Sequence, residues 1–128
     1  SSDVDPPESL PKWMKCLTYS LKELEIRENH ELRYLSPGIQ YLTSLQQLRI
    51  VTCGELIETS DWICNLSSLK QLLLWHCPNL KSLPGSISSL TSLRFLWIYN
   101  CPTLLERCQR ANGEDWPKIQ HIPIVQLR

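Results

Sequence analysis

Apolar residues recur along this chain with a period of 24 residues. Each period opens on Ser-Leu, followed by two variable residues and a second leucine, and further apolar positions return at fixed offsets after it. The repetition needs no gap and covers most of the chain, in four units that span residues 20–43, 44–67, 68–91 and 92–115.

The pattern LxxLxL at the start of each unit predicts a short strand, because successive side chains of a strand point to opposite faces. One unit cannot bury its apolar face alone, so the units must stack into a solenoid with a continuous core. A period of 20–29 residues with these leucines is typical of leucine-rich repeats. We therefore predict a leucine-rich-repeat solenoid of the α/β class. It has a short parallel sheet on its concave face and irregular or short helical segments on its convex side, such as LPGSI at residues 83–87.

One position just after each predicted strand is occupied by Asn29, Cys53, Cys77 or Cys101. The chain leaves the sheet there, so its backbone groups need partners, and an asparagine or a buried thiol can supply a donor. We interpret these four residues as a structural ladder in which the cysteines are packed, reduced thiols. The 24-residue spacing argues against a disulfide framework, and His76 beside Cys77 does not supply the four convergent ligands of a metal site.

The ends of the chain depart from the repeat. Residues 1–9 are predicted to be a disordered leader, and residues 10–19 resemble a partial repeat. We expect further repeats upstream. Without them the strand at 21–26 would be an open edge, which favours self-association unless residues 10–17 shield it.

The last part of the chain, residues 116–128, is predicted to be a C-terminal cap with a terminal edge strand. That strand is placed on Ile119, Ile122 and Ile124, which have LxxLxL spacing. Pro123 suits an edge because it cannot donate to a ladder. Residues 104–118 are expected to form a short helix or loop over the end of the core. The second repeat has TSDWI at residues 59–63 in place of LSPGI or LPGSI, so we expect its convex side to bulge.

The strand positions that do not face the core should line the concave surface, and their character changes along the solenoid. Charged residues such as Glu25 and Arg27 occupy the first rung, whereas aromatic residues occupy the last. A contiguous apolar patch of this kind usually marks a contact site, and Trp and Tyr are favoured interface anchors. We predict a partner-binding concave patch, formed by Leu73, Trp75, His76, Phe95, Trp97 and Tyr99. The alternative is that the C-terminal tail covers these rings or that they pack on one another.

Composition excludes several classes of function. The 13 basic and 13 acidic residues balance, and no basic stripe surrounds the aromatic residues, so we expect no nucleic-acid partner. No apolar run approaches the length of a membrane span, and we expect no membrane partner. The serines and histidines are not arranged as nucleophile, base and orienting group, so no catalytic residue, metal site or enzymatic activity is predicted.

Two motifs resemble those of a known family. The repeat SLxxLxIxxCPxLxxLPxxIxxLT, seen best in residues 68–102, and the tail CPTLLERCQRANGEDWPKIQHIP, residues 101–123, are similar to the C-terminal part of plant nucleotide-binding leucine-rich-repeat disease-resistance proteins of the coiled-coil class. The resemblance covers about residues 10–128, and the tail is its more specific part. The CPxLxxLP pattern differs from the LxxNxLxGxIP of extracellular plant repeats.

The resemblance implies an intracellular immune receptor, cytoplasmic or nuclear. In that family this region contributes to detecting pathogen effectors and to autoinhibition of the nucleotide-binding core. Its partners would be an effector, other domains of the same receptor, or both. The chain has no GxxxxGK[ST] phosphate loop, so ADP or ATP is expected only in a nucleotide-binding domain outside these residues, and no cofactor is expected within them.

A different kind of interaction protein fits the same repeats. The alternative to the receptor is the substrate-recognition module of a ubiquitin-ligase adaptor, or a free-standing repeat scaffold. An upstream F-box would favour the adaptor, and an upstream phosphate loop would favour the receptor.

Overall fold

The computed structural model describes residues 18–128. Its main element is a five-stranded parallel sheet in which the strands follow one another in chain order. The strands are β1 (Glu23–Arg27), β2 (Gln47–Val51), β3 (Gln71–Trp75), β4 (Phe95–Tyr99) and β5 (Ile124–Leu127).

The register of the first four strands reproduces the sequence period. Leu24 pairs with Leu48 and Ile26 pairs with Ile50, and the same 24-residue offset continues through β3 and β4. Equivalent leucines therefore lie directly beside one another, because a parallel ladder keeps residue types in columns. This is the stacked solenoid that the pattern predicts.

The core runs along the inside of the sheet. Leu48, Leu72 and Leu96 are at most 1% exposed, and burying one leucine fully stabilises the fold by about 1.5–3 kcal/mol. Leu24 and Ile26, the equivalent residues of the first rung, are only partly buried. The core is therefore best formed from the second rung onward within the described residues.

The convex side is built from three 3-10 turns, at Pro37–Tyr41, Asp61–Asn65 and Gly85–Ser89. Each turn buries one isoleucine in the same place. The prediction that the second repeat bulges was wrong. Ile63 keeps the anchoring position of the turn and is fully buried, so the unusual residues before it do not change the path of the chain.

The C-terminal segment closes the end of the core with two helices, α1 (Pro102–Arg107) and α2 (Trp116–Ile119). The expected position of the fifth strand was wrong. Ile119 lies in α2, and the strand begins at Ile124, so that Val125 rather than Ile122 pairs with Leu96. Ile119 and Ile122 are instead buried against the end of the core. Their i, i+3 spacing belongs to a helical turn, which LxxLxL spacing alone does not distinguish from a strand start.

Several predictions concern residues outside the described part of the chain. These are the leader at residues 1–9, the first eight residues of the partial repeat at 10–19, and the shielding of the β1 edge by residues 10–17. They remain predictions, as does self-association through that edge.

Candidate functional site: the concave face

The sheet register brings five of the six predicted patch residues together on two neighbouring strands, and His76 follows directly after the first of these strands. Leu73 lies beside Trp97, and Trp75 lies beside Tyr99. The backbones of neighbouring strands are about 5 Å apart, so the side chains of each pair start from adjacent positions on the same face. Trp75 is the most exposed of them at 40% of its surface, while the other three are partly buried. An aromatic and aliphatic surface therefore extends across β3 and β4.

The rings of this surface are held by their neighbours. Phe95 packs edge-on against Trp97, with ring centroids 6.3 Å apart, and Trp75 stacks on His76 at 5.1 Å. The side-chain amide nitrogen of Asn100 lies 3.0 Å from Nδ1 of His76. An amide nitrogen donates, so Nδ1 of His76 is the acceptor in this arrangement. The stack of Trp75 on His76 is thus anchored to the next rung.

The residue that follows each of the strands β1 to β4 has a left-handed backbone. The φ angles of Glu28, Thr52, His76 and Asn100 lie between 54° and 55°. This conformation turns the chain away from the sheet in the same way on every rung, and it costs free energy for residues other than glycine, asparagine and aspartate. It also fixes His76 and Asn100 at the edge of the aromatic surface.

The C-terminal strand extends this face rather than crossing it. Gln126 pairs with Trp97 in the sheet, and the Tyr99 hydroxyl donates a hydrogen bond to Oε1 of Gln126 at 2.8 Å. The Trp97 indole nitrogen is buried and makes no hydrogen bond to any residue in 18–128. The predicted site missed Gln126, because the predicted strand register was displaced. Alignment of Val125 and Leu127 with the LxL positions would have found it.

The first two rungs of the same face are charged. The Arg49 guanidinium lies 3.5 Å from the Glu25 carboxylate, and Arg27 lies 3.2 Å from it. The hydrogen bond from Arg27, opposed by partial desolvation, holds the pKa of Glu25 below its usual value. These pairs are well exposed, so water screens them. The concave face therefore divides into a charged half and an aromatic half.

Comparison with known proteins finds a likeness among solved structures. No protein-family model and no curated protein sequence matches the chain. The solved leucine-rich repeat domain of the type III effector XCV3220 (XopL) is similar, with a TM-score of 0.61 and 34% identity over 71% of this chain. The match covers 30% of that chain, so the present chain spans less than a third of its length.

The chain has the leucine-rich-repeat fold. Leucine-rich repeats of this kind generally present their concave strand face to other proteins, and the chain is accordingly a leucine-rich-repeat protein-interaction module.

The cysteine ladder of the repeats lies behind the strands and away from the concave face. Cys53, Cys77 and Cys101 are fully buried, and each thiol lies within hydrogen-bond reach of two backbone carbonyls. Asn29 occupies the same position on the first rung but is exposed, and its side-chain oxygen accepts from the backbone N–H groups of Glu31 and Leu32. Asn29 thus acts as an acceptor where the cysteines are donors.

Two of the buried thiols, Cys53 and Cys108, have little nucleophilic character. Burial raises the pKa of Cys53, and burial raises the pKa of Cys108 to about 12. A thiol with a raised pKa carries little thiolate at neutral pH, and the thiolate is the reactive form. Their contribution is packing and hydrogen bonding within the core.

Two further observations limit the chemistry of the described residues. Between residues 18 and 128, His, Cys, Asp and Glu side chains form no cluster of three or more that could hold a metal ion. None of the helices in this part of the chain has both the length and the apolar character needed to cross a membrane.

Proposed function

We propose that the module recognises a protein partner through the aromatic half of its concave face, as part of an intracellular plant immune receptor. The partner would be a pathogen effector, another domain of the same receptor, or each in turn, so that one surface serves recognition and autoinhibition. The observation that carries the proposal is the alignment of Trp75, Trp97 and Tyr99 on adjacent strands of an open face.

The size and composition of this surface support protein contact. One Trp, Tyr or Phe buries about 150–250 Å² when covered, and the patch includes Phe95 in addition to those three. The core of the solenoid does not require aromatic residues at these positions, since the inward columns are filled by Leu72, Leu74 and their equivalents. Aromatic residues fixed by their neighbours lose little side-chain entropy on binding, which suits interface anchors.

The C-terminal tail supports assignment to the plant receptor class. Its resemblance to receptors of that class includes Arg107, Asp115 and Lys118, and these three side chains form one connected network in the fold. The joint occurrence of these three residues in the tail therefore has a structural reason. Such a receptor would be cytoplasmic or nuclear, and any ADP or ATP would bind in a nucleotide-binding domain elsewhere in a longer protein.

The structural likeness supports a second candidate. A repeat domain of a type III effector is 34% identical over 71% of this chain, so the module could instead belong to an effector-like protein that binds a host target with the same face. A ubiquitin-ligase adaptor remains a third source of such repeats. The sequence upstream distinguishes them, because a phosphate loop marks the receptor and an F-box marks the adaptor.

The test replaces Trp75, Trp97 and Tyr99 together by alanine in the full-length protein that carries the module. If the face is a contact site, the folded variant loses response to the effector, or signals without it. Tyr34→Ala is the matched control, since Tyr34 is 55% exposed and lies outside the strands of the sheet. A folded triple variant that retains full autoinhibition and full effector response would refute the proposal.

A further inference from the structure

The outer edge of β5 has unused backbone groups. On its inner side, the N–H of Ile124 donates to the Arg94 carbonyl at 3.0 Å, and the N–H of Arg128 donates to the Ile98 carbonyl at 2.9 Å. Backbone groups of a strand alternate in direction, so those of Val125 and Leu127 point away from β4. Within residues 18–128 no further strand pairs with this edge, because β5 is the last strand of the sheet.

This edge forms one side of a cleft of about 770 Å³. The opposite side is formed by the end of α1 and the loop that follows it, through Glu106, Gln109, Arg110 and Asn112. The cleft therefore combines a row of backbone donors and acceptors with a wall of long polar side chains. It lies at the end of the solenoid and shares Gln126 and Arg128 with the borders of the aromatic surface.

The wall of the cleft is held in place by tight local packing. The N–H of Gly113 donates to the Gln109 carbonyl at 2.9 Å, and a Cβ at Gly113 would lie 2.2 Å from the carbonyl oxygen of Arg107. Only glycine fits this approach. The Arg110 guanidinium lies 5.4 Å from the centre of the Trp116 ring, which fixes its direction further. The cleft is thus preformed, and binding to it requires little ordering of the protein.

We infer that this cleft binds an extended peptide segment of another protein, which adds to the sheet as a sixth strand beside β5. The outward N–H and C=O groups of Val125 and Leu127 would pair with the peptide backbone, as in other cases of strand addition to a sheet edge. Arg110 and Arg128 outnumber Glu106 among the charged side chains of the cleft, which favours an acidic peptide. A second copy of the chain fits less well, because the end of its α1 and the following loop would lie against the same wall of the first copy.

The inference is independent of the concave aromatic face, and it is tested on the 128-residue chain by NMR. The probe is the blocked peptide Ac-Thr-Val-Glu-Val-Thr-NH₂, titrated into ¹⁵N-labelled protein. We expect saturable shifts of the Val125 and Leu127 amide resonances. The matched control is the same peptide with N-methyl groups on both valines, which removes two donors. It should bind at least roughly fivefold more weakly, since one hydrogen bond contributes about 0.5–1.5 kcal/mol.

A protein variant tests the same contact from the other side. Among the backbone donors of β5, Leu127→Pro removes only an outward N–H, because Ile124 and Arg128 donate to β4 and Leu127 alternates with them. Proline is tolerated at such an edge position, and the substitution also replaces a leucine side chain that packs against the core. The folded variant should lose peptide binding. If it does not fold, the comparison of the two peptides still decides. The inference would be overturned by equal binding of both peptides or by the absence of shifts at β5. It would also be overturned by shifts that follow protein concentration without peptide, because these would identify a second copy of the chain as the occupant.

Discussion

The carboxylate of Asp115 accepts a hydrogen bond from the backbone N–H of Leu83 at 2.9 Å, and the two residues are 32 positions apart in the chain. Lys118 donates to the carbonyl of the same Leu83 at 2.7 Å. The C-terminal cap therefore satisfies both backbone groups of one residue on the convex side of the third repeat. Asp115 is fully buried and is also held by Arg107 at 2.9 Å. This contact joins the tail to the solenoid.

We expect Asp115→Asn to lower the free energy of unfolding by about 2–4 kcal/mol. The amide cannot accept from Arg107, Lys118 and Leu83 together, and the two cations lose their buried counter-charge. Urea denaturation followed by circular dichroism measures the change. Glu114→Gln is the control, because Glu114 also bonds to Arg107 but its side chain is 76% exposed. Equal stability of the two variants would show that the buried contact contributes nothing beyond a surface pair.

The same carboxylate predicts a pH dependence. Burial raises the pKa of Asp115, but hydrogen bonds from Arg107, Lys118 and the Leu83 N–H outweigh it, and the pKa lies below the ordinary value of 3.8. A lowered pKa in the folded state means that the stabilisation is complete above the unfolded value and is lost as the pH falls toward the folded one. The difference in stability between wild type and Asp115→Asn should therefore shrink below about pH 4. A difference that stays constant from pH 7 to pH 3 would contradict this.

The sequence predicted the repeats well because their physics is local and periodic. Leu48 and Leu72 occupy equivalent positions for the same reason, and one unit therefore predicts the next. The cap follows no period, so Ile119 and Ile122 were placed in a strand when they belong to a helical turn and its continuation. The contact of Asp115 with Leu83 joins the C-terminal cap to the third repeat. Nothing in the sequence position of either residue indicates it.

Within the candidate site, too, the periodic features follow from the sequence and the non-periodic ones do not. The neighbouring positions of Trp75 and Tyr99 follow from the period alone. Gln126 was missed because it depends on the register of β5, and the left-handed backbone of His76 is not visible in a hydrophobic pattern. Thr59 shows the opposite case. The segment that it begins was expected to bulge on the convex side, yet Thr59 fills the same buried column as Leu35 and Leu83.

Thr59→Val should stabilise the protein by about 1 kcal/mol. Thr59 is 2% exposed, and its hydroxyl makes no hydrogen bond to residues 18–128, whereas a buried hydroxyl without a partner costs about 1–3 kcal/mol. Valine has nearly the same shape and lacks the hydroxyl. Thermal unfolding measures the change, and Thr91→Val, at an exposed position, controls for the general effect of the substitution. A destabilised Thr59→Val variant would indicate that the hydroxyl has a partner.

Thr52→Asn should also stabilise the protein, by roughly 1 kcal/mol. Thr52 has a φ of 55°, and a β-branched residue is strained in this region, whereas asparagine tolerates it. Asn100 already occupies the equivalent position with the same φ. The comparison is made by urea denaturation, with Asn100→Thr as the reverse exchange. The two substitutions should have opposite signs, and a loss of stability in both would contradict the explanation from backbone strain.

Alkylation should distinguish Cys64 from the other four cysteines of residues 18–128. Cys64 is partly exposed on the second convex turn, whereas Cys53, Cys77, Cys101 and Cys108 are fully buried free thiols. Burial denies the reagent access to all four, and for Cys108 and Cys53 burial also raises the pKa, to about 12 for Cys108, so these two carry little thiolate. With iodoacetamide at pH 8, peptide mass spectrometry should find Cys64 modified within minutes and the buried four protected. In denaturant all five should react. Fast native labelling of Cys77 or Cys101 would mean that the strands open locally, and the ladder could not then be a stable part of the core.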